Sequence, residues 1–216
     1  MQPILMITLA AAIGVPLGLW LRRDLATLRY RAGDEHDLPK PGPRWWVVGT
    51  SALALVSLAA AAYLSSNPLV YLPLLPLAVA GAWLAAVDLD VLRIPDRVLV
   101  PAAVVTLLAV VAIAAAQQRW SALALPVAAA LTTGAMFAAV HFVSKGGIGF
   151  GDVKLASLMG LSIGPLGLGP VWLAVITGSL GALVWAKTTR RVGPIPYGPW
   201  LLSGYWLAIV ASAFPR

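Results

Sequence analysis

Residues 98–116 read VLVPAAVVTLLAVVAIAAA, nineteen consecutive residues without a charge. A helix needs about 20 mostly apolar residues to cross the hydrocarbon core of a bilayer, so this run predicts a transmembrane helix. The composition of the whole chain also indicates a lipid environment, because 60% of its 216 residues are hydrophobic and 11% are charged. Soluble domains carry about a quarter charged residues. We therefore predict an all-α fold, a polytopic bundle of transmembrane helices.

Other apolar stretches extend this prediction along the chain. A shorter stretch, 155–163, is too brief to cross alone, but it could continue as a broken helix through the Gly/Pro-rich residues 163–170. Seven to eight spans are therefore expected, in one transmembrane domain covering 1–216. No Lys or Arg precedes the first span, which predicts a retained helix rather than a cleaved signal peptide. Clear spans are predicted at 3–20, 45–64, 68–87, 98–116, 121–143, 166–186 and 197–213.

The basic residues are unevenly distributed between the linkers. If the linkers alternate sides and the short stretch crosses, one side receives 21–44, 88–97, 144–154 and 187–196, with 13 of the 15 basic residues. The positive-inside rule places that side in the cytoplasm and both termini opposite. This topology accounts for the net charge of +7, so the predicted partner is the lipid bilayer and not nucleic acid. Tryptophans near predicted span ends agree with it: Trp20, Trp45, Trp46, Trp120, Trp185 and Trp200.

The eight carboxylates fall into two groups. Four lie in the first basic linker, where a solvated charged loop is expected: Asp24, Asp34, Glu35 and Asp37. The other four lie in two short stretches at span ends: Asp88, Asp90, Asp96 and Asp152. A carboxylate at a membrane boundary is costly to desolvate, so it requires either a function or a paired charge. The pairing alternative joins Asp88 to Arg93 and Asp152 to Lys154.

Composition also excludes several chemistries. The chain has no cysteine, which rules out disulfides, a thiol nucleophile and cysteine-ligated zinc. Its two histidines are too few for a histidine metal cage, and His141, near a span end, is expected to be a packed or interfacial polar residue rather than a catalytic base. Gly149 and Gly151, which flank Phe150 just before Asp152, allow a sharp turn and the close approach of another chain. These features leave carboxylate chemistry as the main candidate.

The acidic stretches match a known family. Asp88 with the segment 93–96 (Arg-Ile-Pro-Asp), followed by 149–155 (Gly-Phe-Gly-Asp-Val-Lys-Leu), resembles the type IV prepilin leader peptidases, which belong to the GxGD class of intramembrane aspartic proteases. The segment 195–201 is similar to the Pro-Phe-Gly-Pro segment that opens their last span. The resemblance covers about residue 75 to the C-terminus. It implies catalytic roles for Asp88 and Asp152, and accessory roles for Asp90, Asp96, Gly149, Gly151 and Lys154.

The resemblance also implies an activity. An aspartic endopeptidase would remove the short basic leader of a type IV prepilin or pseudopilin at the cytoplasmic face of the inner membrane. No cofactor and no metal are expected. Longer family members carry a cytoplasmic zinc domain with paired cysteines and methylate the new N-terminus. Here the short linker 21–44 lacks cysteine, so zinc is not expected and N-methylation stays open. Lys154 could guide substrate, supply a counter-charge or extend to the membrane interface.

Two other classes of protein compete with a peptidase. A transporter or channel could use boundary carboxylates to bind protons or cations, and Gly/Pro-broken helices suit that function as well. It predicts acids near the bilayer midplane and internal repeats, whereas the acids here lie at predicted span ends and no convincing repeat is found. An assembly scaffold that has lost catalysis is the third class. The presence of both Asp88 and Asp152 argues against it.

Overall fold

The computed structural model describes residues 3–145, 147–190 and 193–213. Within these ranges the chain forms helices and no strand, which confirms the predicted all-α fold. Arg191, counted above in the linker 187–196, lies outside them. The α-helices are α1 (Pro3–Ala26), α2 (Trp46–Leu64), α3 (Leu75–Val91), α4 (Asp96–Ala116), α5 (Ala124–Val143), α6 (Phe150–Ile163), α7 (Leu168–Thr188) and α8 (Gly198–Ser212). Short 3-10 segments lie at Gly33–Asp37, Pro68–Leu74, Trp120–Leu123 and Gly164–Leu166.

Six helical segments of the described chain are long and apolar enough to cross a membrane, as expected for a multi-pass protein. They are Ile4–Ala26, Trp46–Leu64, Pro68–Val91, Asp96–Ala116, Trp120–Val143 and Leu168–Thr188. The predicted span 197–213 becomes the 15-residue α8, and the short stretch 155–163 becomes part of the 14-residue α6. Both helices are shorter than the roughly 20 residues of a full span. They lie beside longer helices, which shield them.

Three helix boundaries differ from the prediction. α1 continues to Ala26, so Arg22 and Arg23 belong to its last turns and not to the linker. The predicted span 68–87 begins as a 3-10 segment that contains two prolines and ends as α3 at Val91, which places Asp88 inside the helix. α6 begins at Phe150, five residues earlier than the apolar stretch. The side chain of Asp152 accepts a hydrogen bond from the N–H of Gly149 and so caps the new start.

Close helix pairs build the bundle, with α3 at its centre. α1 packs on α2, α5 on α6 and α7 on α8. Gly14 and Gly18, four residues apart on α1, allow the close approach in the first pair, because an added Cβ would stand 2.6 Å from the Cα of Ala52 and 2.6 Å from the Cα of Val48. The most apolar window of the segment containing α3 is 61% buried, against 33% or less in the other five candidate spans. α3 and the largely buried α6 are therefore the helices best able to hold polar groups away from lipid.

α6 runs back across the bundle although it is short. Thr133 and Ala130 of α5 contact Ala156 and Ser157 through side-chain hydrogen bonds of 2.9 and 3.1 Å. Seven residues later, Gly164 packs against Pro126 near the start of α5. The broken-helix prediction for 163–170 is correct in outline, because a 3-10 turn and Gly167 at φ 108° separate α6 from α7.

The described parts of the first three linkers meet at one end of the bundle, together with the start of α8, which follows the fourth linker. The first linker contacts the second through an ion pair between Glu35 and Arg93. Gly151, at the start of α6, and Gly198, at the start of α8, both pack against Ile94 of the second linker. The C-terminal end of α3 and the N-terminal ends of α4, α6 and α8 therefore converge, and the acidic stretches converge with them.

Candidate active site

Asp88 lies in the last turn of α3, three residues before the helix ends. Asp88 is 3% exposed, and its Oδ2 accepts a hydrogen bond of 2.8 Å from the backbone N–H of Gly198. α3 stops because Leu92 adopts a left-handed conformation at φ 53°, and the N–H of Leu92 bonds back to the carbonyl of Asp88. The chain then turns through Pro95 into α4. Asp88 is thus held by the backbone of α8, 110 residues away in sequence.

Asp152 lies in the first turn of α6. The residue is 6% exposed, and its Oδ2 accepts the N–H of Gly149 at 3.2 Å. Its Oδ1 is buried and has no hydrogen-bond partner among the described residues. The free N–H groups at a helix N-terminus favour a negative charge there. The sequence Gly-x-Gly-Asp therefore folds into a helix start that presents one carboxylate oxygen unpaired.

One cavity of about 310 Å³ joins the two acids. Asp88 and Asp152 lie close enough for their charges to interact. Ile94 and Gly151 form part of the wall between the α3–α4 turn and the start of α6, and an added Cβ on Gly151 would stand 3.0 Å from the Cβ of Ile94. The cavity is lined by Glu35, Asp88, Val91, Leu92, Arg93, Ile94, Gly149, Phe150, Gly151 and Asp152.

The nearby cations are paired with other acids. Arg93 bonds to Glu35, with Nη2 and Oε2 2.7 Å apart, and Lys154 bonds to Asp96, with Nζ and Oδ2 2.7 Å apart. The predicted alternative, in which Asp88 pairs with Arg93 and Asp152 with Lys154, is therefore wrong. Lys154 supplies a counter-charge, but to an exposed accessory acid rather than to the buried pair. Within the described residues, no ion pair neutralises either acid of the cavity.

Glu35 is a site residue that sequence reasoning missed. We expected a solvated charged loop, yet Glu35 lines the cavity and accepts bonds from Nε and Nη2 of Arg93 and from the N–H of Ala32. The hydrogen bonds from Arg93 hold the pKa of Glu35 below its usual range. Asp24 also departs from that expectation, since it accepts a 2.8 Å bond from the indole N–H of Trp83. The sequence carried no signal for either contact, because both partners lie about 60 residues away.

Asp90 organises the first linker rather than the cavity. Its carboxylate accepts bonds from Nε and Nη2 of Arg31, both at 2.9 Å, and lies 3.4 Å from Nη2 of Arg44. The hydroxyl of Tyr30 donates to the same carboxylate. Arg31 continues to the carbonyls of Leu38 and Pro39. The residue predicted as an accessory acid therefore ties the linker to the last turn of α3, next to Asp88.

Gly198 and Tyr197 complete the surroundings of the acids. Gly198 belongs to the Pro-Tyr-Gly-Pro segment noted in the sequence, but its bond to Asp88 was not anticipated. Tyr197 packs edge-on against Phe137 and lies close enough to Asp152 to feel its charge. His141 is the packed residue that was expected: its Nδ1 lies 2.6 Å from the carbonyl oxygen of Ile148, and its ring contacts Phe150.

The site thus consists of two buried carboxylates, the backbone N–H groups that hold them, and the cavity of about 310 Å³ between them. In the described part of the chain, no three His, Cys, Asp or Glu side chains cluster so that they could hold a metal ion. Two adjacent carboxylates can hold one proton between them and activate a small nucleophile. The geometry therefore suits a reaction in which the carboxylate pair accepts and donates a proton.

One of three comparisons with known proteins gave a match. Residues 74–186 match the type IV leader peptidase family. They contain α3 to most of α7, and with them both buried acids. A search of curated proteins and a search of solved structures each gave no significant match. Because the family match covers more than half of the chain, the chain belongs to the type IV leader peptidase family.

Proposed function

We propose that the protein is an intramembrane aspartic endopeptidase in which Asp88 and Asp152 are the catalytic pair. One observation carries the proposal: two buried carboxylates from separate helices line one cavity, and neither is paired with a cation among the described residues. Membership of a peptidase family favours this function over a transporter or a scaffold. A structural role in ion pairing, the simplest alternative for such acids, has no support from the contacts.

The proposed reaction is the hydrolysis of one peptide bond by water. Two carboxylates in one buried cavity repel each other when both are ionised, so the pair holds a single proton. The ionised member takes a proton from water as the water oxygen bonds to the scissile carbonyl carbon, and the protonated member polarises the carbonyl oxygen. The C–N bond then breaks and the leaving amine takes up a proton. The roles belong to the pair, and we assign neither to one residue.

The proposed substrate is a type IV prepilin or pseudopilin, whose short basic leader is removed at the membrane boundary. The acids lie at the end of the bundle where the basic linkers meet, which supports a cytoplasmic active site in the inner membrane. Gly149 and Gly151 present backbone without side chains at the cavity wall, which supports the approach of an extended substrate. N-methylation of the product is not part of this proposal, because the cavity and its contacts provide no argument for it.

The decisive test is cleavage of a co-expressed prepilin by Asp88→Asn and Asp152→Asn variants. Each substitution preserves the side-chain size and keeps one oxygen that can accept the glycine N–H, but it replaces the other carboxylate oxygen by an NH2 group and so removes the shared proton chemistry. We expect both to abolish processing while membrane insertion and the unfolding temperature stay near those of the parent. Asp34→Asn is the matched control, since Asp34 is exposed and lies at the same end of the bundle. It should process normally.

Retained processing by either variant would refute the catalytic assignment. If both variants lost processing in cells but cleaved normally when purified, the acids would serve insertion or assembly and not chemistry. Ion flux in reconstituted vesicles separates the transporter alternative, because a peptidase should show no flux that depends on Asp88 or Asp152.

A further inference from the structure

A second cavity, of about 230 Å³, lies beside the last turn of α1. It is bounded by Arg22 and Arg23 on the helix and by Lys40 and Arg44 in the linker, with the Pro-Gly-Pro turn 41–43 between them. The remaining wall is apolar, and no acidic residue lines it. It is separate from the cavity of Asp88 and Asp152, with which it shares no lining residue. We name it the basic cavity.

The charge of the basic cavity is largely uncompensated. Arg44 lies 3.4 Å from Asp90 and bonds to Tyr30. Arg22, Arg23 and Lys40 form no ion pair within the described residues. Like charges gathered around a small space repel each other, and an anion between them would be attracted to each of them and offset that repulsion. The geometry therefore favours a bound anion.

Arg22 gives an independent sign of a missing partner. Its guanidinium carbon lies 3.6 Å from the ring centroid of Trp45, a cation–π contact that fixes the plane of the group. The Nε of Arg22 is nevertheless buried and has no hydrogen-bond acceptor among the described residues. A buried N–H almost always has an acceptor. Arg22 also lines the basic cavity, where a phosphate would supply acceptor oxygens, and arginine is a preferred partner of phosphate and carboxylate groups.

The position of the basic cavity points to lipid as the source of the phosphate. Arg22 and Arg23 follow an apolar helix directly, and Trp45 and Trp46 are exposed at the start of α2. Arginine and tryptophan at a helix end mark headgroup depth. Basic pockets at the cytoplasmic ends of helices bind anionic lipid headgroups. We propose that the basic cavity binds the phosphate group of an anionic phospholipid and thereby holds the first linker against the membrane surface.

The test uses the full chain in phosphatidylcholine nanodiscs that contain increasing fractions of phosphatidylglycerol. Native mass spectrometry counts the retained phosphatidylglycerol, and the unfolding temperature gives its apparent affinity. We expect Arg22→Gln and Lys40→Gln each to weaken the affinity about fivefold, which corresponds to about 1 kcal/mol per cation near an anionic headgroup. The double variant should lose about 25-fold. Arg29→Gln is the matched control, since Arg29 is exposed at the same end and does not line the cavity.

A second arm separates the two sources of phosphate. Inorganic phosphate is titrated into nanodiscs of phosphatidylcholine alone. Stabilisation by phosphatidylglycerol but not by inorganic phosphate supports a lipid ligand, whereas stabilisation by inorganic phosphate that is lost in the double variant supports a soluble phosphate compound in the same cavity. The proposal is overturned if neither ligand stabilises the protein, or if Lys40→Gln, in the exposed linker, binds phosphatidylglycerol like Arg29→Gln. None of these outcomes depends on peptidase activity.

Discussion

Gly198→Ala should impair the proposed catalytic pair without changing an acid. The backbone N–H of Gly198 donates to Oδ2 of Asp88 at 2.8 Å, so the two groups already touch. A Cβ at this position would stand 3.0 Å from the same Oδ2 and 3.3 Å from Cδ1 of Ile94. Neither atom can move freely, because Asp88 lies in the last turn of the buried α3 and Ile94 is 5% exposed. The added methyl group must therefore displace the carboxylate.

The size of the displacement follows from these distances. Ordinary contact begins at 3.4 Å, so the carboxylate must move by about 0.4 Å. A misplacement of 1 Å at a reacting group can cost about a hundredfold in rate. Scaled to this shift, Gly198→Ala should lower kcat about five- to tenfold. KM should change little, since no substrate contact is removed.

The assay is cleavage of a purified prepilin by detergent-solubilised or reconstituted enzyme. Gly49→Ala is the matched control, because Gly49 is also helical but an added Cβ there meets no atom within 4 Å. That variant should keep full activity and gain slightly in helix stability. Full activity of Gly198→Ala, or an equal loss in both variants, would refute the claim that Gly198 positions Asp88.

Two further predictions concern charged residues around the cavity. Asp90→Ala should lower the unfolding temperature more than Lys154→Gln does. The reason is that Asp90 belongs to a buried network, whereas Asp96, the partner of Lys154, has a side chain that is 57% exposed. Equal unfolding temperatures of the two variants by differential scanning fluorimetry would contradict this. The lowered pKa of Glu35 means that its bond to Arg93 stabilises the fold above the ordinary glutamate pKa of 4.5 and is lost as the pH falls through the lowered value. Glu35→Gln should thus reduce the unfolding temperature at neutral pH, and its difference from the parent should shrink as the pH falls below 4.5; a difference that does not shrink in acid would show another origin.

The helices were predictable because lipid imposes a simple requirement. Every long apolar run had to become a helix, since backbone groups in hydrocarbon must bond within their own segment. Boundaries were less predictable where polar residues found partners. α1 continues through Arg22 because that side chain packs on Trp45, and α3 includes Asp88 and Asp90 because both carboxylates accept hydrogen bonds from distant parts of the chain. Hydropathy averaged along the sequence contains no information about such long-range hydrogen bonds.

The two acids of the proposed site could be singled out from the sequence, but the residues that surround them could not. The order and spacing of Asp88 and Asp152 sufficed to resemble a family, and the match over residues 74–186 agrees. Which cation binds which acid depends on the way the first linker folds over the second. Local spacing left Arg93 open as a partner of Asp88, whereas the fold brings Glu35 to Arg93 from 58 residues away. The first linker lies outside the matched region, so neither pattern nor resemblance could anticipate its part in the cavity.

The distribution of counter-charges is what distinguishes the proposed catalytic acids from the accessory ones. Asp90, Asp96 and Glu35 each bind at least one cation, whereas Asp88 and Asp152 are held by single backbone N–H groups of glycine. A cation beside either buried acid would favour two ionised carboxylates and remove the shared proton on which the proposed hydrolysis depends. A glycine N–H orients a carboxylate without contributing a full charge, and it leaves the other oxygen available. Arg93 and Lys154 are paired with other acids, so no cation lies against Asp88 or Asp152 among the described ion pairs. The two carboxylates are therefore expected to share a proton.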